Sequence, residues 1–497
     1  MKAAAELVFI PSPGLGHLLS MVEMAKQLIA RDHRLSITLL IMKLPIFDKS
    51  KVISTAQSLL LTAAYDRLKF VHLPQEDPAV LAELLSKGDG YFILEFVKLN
   101  KPHVRDQVKK MMMAAESTES SRLAGFAVDM FCTPMMEVAA EFGLPSYAFF
   151  TSSCAYLSLH FHLETLHRDH NQDVTELKDS DAELEVPGFV NPVPAKVLPS
   201  MALSKVAGSA FFMDVSKWLR ETEGILVNTF EELESYTLKC LTEDNTIPPI
   251  YPVGPVLHDK KEEESKELEE DIHIMKWLDE QPPSSVVFLC FGSMGAFEGD
   301  QVREIAQALE QSGHRFLWSV REPPLKGKIA IPGEYQDLSQ VLPRGFLERT
   351  MKIGKVIGWA PQVAVLSHKA VGGFVSHCGW NSILESLRCG VPIATWPMYA
   401  EQQLNAFQLV RELGLAIEIA LDYMKDFNSG KSDFMTADKI ENGIRKLMDN
   451  EHKSREEITQ KVKEMSEKSK TVVEEGGSSY NYIGRFIDVI MTNTHSP

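Results

Sequence analysis

The chain has 497 residues, enough for two domains of ordinary size. Hydrophobic residues make up 44% and charged residues 24%, which excludes a disordered or fibrous chain. A net charge of −17 argues against general affinity for nucleic acid or an anionic membrane, although a helix N-terminus can still hold a phosphate.

Apolar runs of strand length alternate with amphipathic helical stretches along the first half. Leu7–Ile10 reads as the first strand, and Leu18, Met21, Val22, Ala25, Leu28 and Ile29 then recur on one helical face. Ile37–Met42, Leu68–Leu73, Gly125–Val128, Tyr147–Phe150 and Ile225–Asn228 continue the strands. After the Pro-rich Ile247–Pro255, the segment Asp259–Asp271 holds eight acids and three bases and reads as a solvated linker. The alternation then restarts with Val286–Phe291 and a helix over Asp300–Ser312. Further strands are expected at Arg315–Val320, Lys355–Ile357, Gly373–Ser376, Ile393–Thr395 and Ala416–Ile419. Helices are expected near Gln362–Ser367, Asn381–Arg388, Gln402–Leu413 and Ala437–Met448, and through most of Ser454–Met491. Strand–helix alternation implies parallel strands with right-handed crossovers, so both halves are expected to be doubly wound α/β sheets.

Six cysteines occur, none in a C-x-x-C pair, so buried reduced thiols are expected rather than disulfides or a zinc site. There is no N-x-S/T sequon, no signal-like apolar run at the start, and no run near the ~20 apolar residues of a membrane span. A cytoplasmic protein is the expectation.

Ligands of open α/β sheets bind beyond the carboxyl ends of strands. Four segments put polar residues there. Pro11-Ser12-Pro13-Gly14-Leu15-Gly16-His17 lacks the third glycine of a dinucleotide fingerprint, which weakens a nicotinamide reading. His17 is of the type suited to a general base, and reads equally as a helix cap. Asp129 ends an apolar strand, where a carboxylate either orients a histidine or caps a helix starting near Thr133. Phe291-Gly292-Ser293 is a small turn with a hydroxyl, suited to phosphate. His377-Cys378-Gly379-Trp380-Asn381-Ser382 joins a strand to a helix and aims a helix N-terminus and a histidine at a diphosphate. Ser382 and Glu385 have capping-box spacing.

The stretch Trp359–Gln402 resembles the plant secondary-product glycosyltransferase signature: Trp359, Pro361-Gln362, His368, Gly373-Phe374, His377 to Ser382, Glu385, Gly390-Val391-Pro392, Pro397 and Glu401-Gln402. The resemblance extends over the whole chain and is to family 1 UDP-sugar-dependent glycosyltransferases. The first motif is similar to those of enzymes acting on flavonoids, phenolics and triterpenoids. It implies the GT-B fold, two Rossmann-like domains facing a central cleft. Residues 1–255 would bind the acceptor, 256–271 would link, 272–476 would bind UDP-sugar, and 477–497 would pack back as a helix on the first domain.

The same resemblance implies the roles of individual residues. His17 is the base and Asp129 its partner. Trp359 stacks on uracil beside Ala360 and Gln362, and Glu385 holds the ribose. His377, Asn381, Ser382 and Ser293 contact the diphosphate. Trp380, Glu401, Gln402 and Thr151 hold the sugar, with Glu401 standing where many relatives carry Asp. Gly16, Phe131, Phe149, Tyr399 and Ala400 are expected to line the acceptor pocket. The implied protein is a monomer that uses UDP-glucose as donor and needs no cofactor and no metal. It inverts the anomeric centre to give β-O-glucosides on small apolar metabolites. Transfer to carboxylic acids, giving esters, is the alternative. An NAD-dependent oxidoreductase and a non-catalytic nucleotide-sugar-binding protein are weaker readings.

Overall fold

A computed structural model describes residues 5–44, 66–85, 89–118, 122–205, 208–258, 269–325, 330–425, 433–449 and 451–493. Of the acidic linker Asp259–Asp271, all but the last three residues lie outside the described residues. The chain divides into two compact units. One comprises Met1–Ala195, Ser200–His258 and Thr471–Pro497, the other Asp259–Lys470 with Lys196–Pro199.

The first unit is built on a seven-stranded sheet. Its strands are β1 (Ala5–Ile10), β2 (Leu35–Ile41), β3 (Leu68–His72), β4 (Arg122–Asp129) and β5 (Ser146–Phe150), followed, after a two-stranded β6 (Glu183–Leu184) and β7 (Val193–Pro194), by β8 (Ile225–Val227) and β9 (Ile250–Pro252). The order β3-β2-β1-β4-β5-β8-β9 is parallel throughout. Every residue of β1, β2 and β5 is buried, which is why these strands read as continuous apolar runs. Side chains still alternate. Leu7 and Phe9 enter one core with the helix Leu15–Arg31, while Val8 and Ile10 enter another with Phe92, Phe96 and Val104.

β9 is a strand that the periodicity does not announce. It has three residues among prolines, and its Pro252 is tolerated at a sheet edge where no ladder N–H is needed. The last helix, Ser478–Asn493, joins the first core through Ile483, Phe486, Ile487, Ile490 and Met491, spaced at three and four. Phe486 meets Tyr147 edge-on at 5.0 Å, and the Arg31 guanidinium lies 3.7 Å over the Tyr480 ring.

The second unit repeats the plan with β10 (Val286–Cys290), β11 (Arg315–Ser319), β12 (Gly354–Ile357), β13 (Val371–Ser376), β14 (Ile393–Thr395) and β15 (Ala416–Glu418), in the order β12-β11-β10-β13-β14-β15, all parallel. Its core packs Val287, Leu289, Phe316 and Trp318 against the helices Gly299–Ser312 and Ala437–Met448. The helix expected over Gln402–Leu413 is α-helical to Phe407 and continues as a π-turn over Gln408–Glu412. In each sheet the strand order reverses beside the first strand of the unit. Both switch points, β1/β4 and β10/β13, are where an open α/β sheet offers a crevice.

Candidate active site

At the first switch point three neighbouring strands deliver three polar side chains. β1 runs into a turn and the helix Leu15–Arg31, whose third residue is His17. β4 ends on Asp129, and β5 is followed by Thr151. His17 Nδ1 lies 2.7 Å from Asp129 Oδ2. Asp129 is fully buried and the His17 side chain 28% exposed, so the imidazole is held by a buried carboxylate while part of the ring reaches the surface. The helix Leu15–Arg31 takes Gly14 as its N-cap without a side-chain cap, so capping is not the role of His17. The two readings of Asp129 turn out to be compatible. Its Oδ1 accepts the Phe131 N–H at 3.0 Å and caps a short 3-10 helix that starts at Met130, ahead of the expected Thr133, while Oδ2 takes the histidine.

Of the residues expected at the acceptor, Gly16 is exposed and Phe131 is half-buried with its ring 5.2 Å from that of His17. Phe211, which sequence reading passed over, stacks behind Phe131 at 6.0 Å. Phe149 is buried in the first core with Leu7 and Tyr147 and faces away from any open surface. Tyr399 and Ala400 belong to the second unit. Tyr399 packs against that unit's core, and Ala400 is exposed at φ 58°. Burial pushes the Tyr399 hydroxyl up to about 12.

At the second switch point β10 leads into Gly292-Ser293 and β13 into His377. Ser293 is half-buried. His377 is buried, and desolvation lowers its pKa to about 4, so the ring is neutral at pH 7. Its Nδ1 is buried with no hydrogen-bond partner among the described residues, an unmet need that an anionic ligand would answer. The following turn is held by Asn405, whose Nδ2 donates to the Cys378 carbonyl at 3.0 Å. The helix Trp380–Cys389 then begins at Gly379 with no side-chain cap. Ser382 is therefore the third helical residue, not the N-cap, and the capping-box reading of Ser382 and Glu385 falls. Both instead accept from Gln362 Nε2, Ser382 Oγ at 2.8 Å and Glu385 Oε2 at 2.6 Å. Trp380 is buried and Asn381 half-buried.

Trp359 and Ala360 follow β12. Ala360 is buried and the Trp359 ring half-buried, with the Arg321 guanidinium 5.1 Å from its centroid. Arg321 is itself tied to the Gly333 carbonyl at 3.0 Å and to the Pro332 carbonyl. A charged residue just past the apolar end of β11 was the signal for it. Gln402 is buried, and its Oε1 accepts the backbone N–H groups of Met398 at 2.9 Å and Tyr399 at 3.0 Å. Both lone pairs are thus used, and the amide nitrogen, which also bonds the Tyr399 side chain, is the part of Gln402 that can donate. Glu401 is half-buried just ahead of that helix. A cavity of about 550 Å³ lies against β12, walled in part by Val320, Glu334, Tyr335 and Gly358; none of the residues expected to hold the donor lines it.

Among the described residues no three His, Cys, Asp or Glu side chains group as metal ligands, and no helix is long and apolar enough to cross a membrane. All six cysteines are free thiols.

The family described as UDP-glucoronosyl and UDP-glucosyl transferase matches residues 248–459. The UDP-glucose flavonoid 3-O-glucosyltransferase 6 of Fragaria ananassa is 53% identical over 99% of this chain and 100% of its own length. The UDP-glycosyltransferase 71E1 of Stevia rebaudiana is 52% identical over 99% of this chain and 100% of its own. Among solved structures, UGT71G1 of Medicago truncatula complexed with UDP-glucose is 41% identical and superposes with a TM-score of 0.83, covering 98% of each chain.

Proposed function

Since the chain belongs to the plant family 1 UDP-glycosyltransferases, enzymes of the GT-B fold, we propose that it is an inverting glucosyltransferase forming β-O-glucosides on flat, apolar, hydroxylated plant metabolites. The observation that carries the reading is the 2.7 Å bond between His17 and a fully buried Asp129, at the switch point of the first sheet.

A carboxylate oxygen accepts in this bond, so the ring proton is assigned to Nδ1 and Nε2 is the unprotonated nitrogen. In the proposed reaction Nε2 takes the proton of the acceptor hydroxyl as its oxygen bonds to the anomeric carbon of glucose. The bond from that carbon to the UDP oxygen breaks on the opposite face, and UDP departs. Asp129 stabilises the imidazolium that forms. A base so placed contributes ~10²–10⁴ in rate. Charge developing on the diphosphate would be met by Ser293, Asn381, Ser382, His377 and the N-terminus of the helix Trp380–Cys389, and no step needs a metal. Being neutral, His377 would act there as an N–H donor rather than as a cation.

Trp359 and Ala360 would flank the uracil, Gln362 and Glu385 the ribose, and Trp380, Glu401 and Gln402 the sugar. The choice of glucose is supported by the Fragaria relative's name and the UDP-glucose complex of the Medicago enzyme. Phe131, backed by Phe211 and set beside His17, supports a flat acceptor, with the exposed Gly16 alongside; Tyr399 and Ala400 are proposed as further acceptor residues. Phe149 has no part in that wall.

The test is a panel of flavonoids, simple phenols, triterpenoids and carboxylic acids, incubated with UDP-glucose in excess EDTA. Products are weighed by mass spectrometry and their anomeric configuration read by NMR. β-O-Glucosides are expected. Products with an α linkage, strict dependence on added Mg²⁺ or Mn²⁺, or transfer to carboxylic acids alone would overturn the reading.

A further inference from the structure

Thr151 is the residue whose surroundings depart most from the role implied for it. As a sugar-holding residue its hydroxyl would look to the donor. Instead its Oγ1 lies 2.9 Å from His17 Nδ1, the same ring atom that Asp129 Oδ2 holds at 2.7 Å. The sheet register explains the meeting. Ile10 pairs with Val128 and Asp129 with Phe149, so the chain leaving β5 brings Thr151 beside the end of β4 and the turn that carries His17.

The direction of these bonds follows from the chemistry of the three groups. If Nδ1 bore a lone pair, Asp129 Oδ2 would face it at 2.7 Å, acceptor against acceptor. The proton therefore sits on Nδ1, and Thr151 Oγ1 is a second acceptor for it. The Thr151 hydroxyl hydrogen then needs another partner, and one is present. The O–H donates to the Met130 thioether sulfur at 4.0 Å, a weak acceptor. Thr151 and Met130 are both buried, 8% and 2% exposed, so water does not compete for either. Met130 stands next to Asp129 in sequence, at the start of the 3-10 helix that Asp129 caps. One short segment thus supplies the carboxylate and also the sulfur that turns the hydroxyl's lone pairs toward the ring.

Resting on the reading of His17 as base, we infer that Thr151 is a positioning residue for it. It shares the Nδ1 proton with Asp129 and fixes the plane and tautomer of the imidazole.

The test is a double-mutant cycle with UDP-glucose and one accepted phenol. Thr151→Val keeps the shape and removes the acceptor, and should lower kcat roughly three- to tenfold while KM for UDP-glucose stays within about twofold. Thr151→Ser should restore most of the loss. Because Asp129 and Thr151 share Nδ1, Thr151→Val should cost at least about threefold more in an Asp129→Ala background than in the wild type. A raised KM for UDP-glucose at unchanged kcat, with independent effects of the two changes, would overturn the inference and return Thr151 to the sugar. Near-normal turnover of His17→Ala would instead overturn the base itself, which separates the two failures.

Discussion

A side chain on Gly292 would collide with His377: its Cβ would lie 2.6 Å from His377 Nε2. A Cβ on Gly379 would approach the same atom to 2.6 Å, so the ring is seated between two glycines. Gly292 also has φ 74°, a left-handed conformation that strains any L residue. Gly292→Ala must therefore displace either the turn or the histidine. UDP affinity, read by calorimetry, is expected to fall by roughly tenfold or more. Gly313→Ala is the control. It has φ 68°, with nothing within 4 Å of its would-be Cβ, and should cost stability alone.

Gln362 ties Glu385, the carboxylate proposed to hold the ribose, in place. With Nε2 donating to both Ser382 and Glu385, one amide fixes two expected nucleotide contacts. Gln362→Ala should raise KM for UDP-glucose by roughly tenfold and leave kcat within about twofold, because the ribose is bound equally in ground and transition states. A fall in kcat at constant KM would place Gln362 in the chemical step instead.

Two buried histidines make stability depend on pH. His160 stacks on Phe212 at 3.8 Å and gives its Nδ1 proton to Ser216 at 2.8 Å, and burial lowers its pKa to about 3. His377 is lowered to about 4 by the same cause. Both values lie below the usual 6.5, so between roughly pH 6.5 and these values the unfolded chain binds more protons. Stability is full above about pH 6.5 and falls as the solution is acidified, by roughly 2 kcal/mol per histidine at about pH 5. His160→Phe keeps the stack, and Ser216 still donates to the Phe212 carbonyl. Urea midpoints at about pH 7.5 and about pH 5 should converge in that variant by an amount worth about 2 kcal/mol. An unchanged gap would show that His160 is not titrating on unfolding.

Much of this was legible before any coordinates. Strands buried on both faces write themselves as unbroken apolar runs, as in β1 and β5. Their carboxyl ends are fixed by topology, which is how His17, Asp129 and His377 stood out. Spacing alone could not say that Gly379, rather than Ser382, begins its helix, so the capping box was a false match. Nor could the aromatic Phe149 declare which way it faced; the strand's alternation turns it into the core with Tyr147. That Thr151 meets His17, 134 residues away, could not be read from the sequence, because the two come together only through the register of three strands. Phe211 stayed silent for the same reason, since a stacking partner is a tertiary fact, and Arg321 showed only as a charge past the end of β11.

His17 is proposed as the base, with no part in holding the nucleotide. The most direct measurement is transfer by His17→Ala alongside its affinity for UDP. Turnover should fall by about 10³-fold or more, with UDP binding within about twofold of wild type, and Asp129→Ala should lose less. Transfer by His17→Ala within about tenfold of wild type would contradict the account.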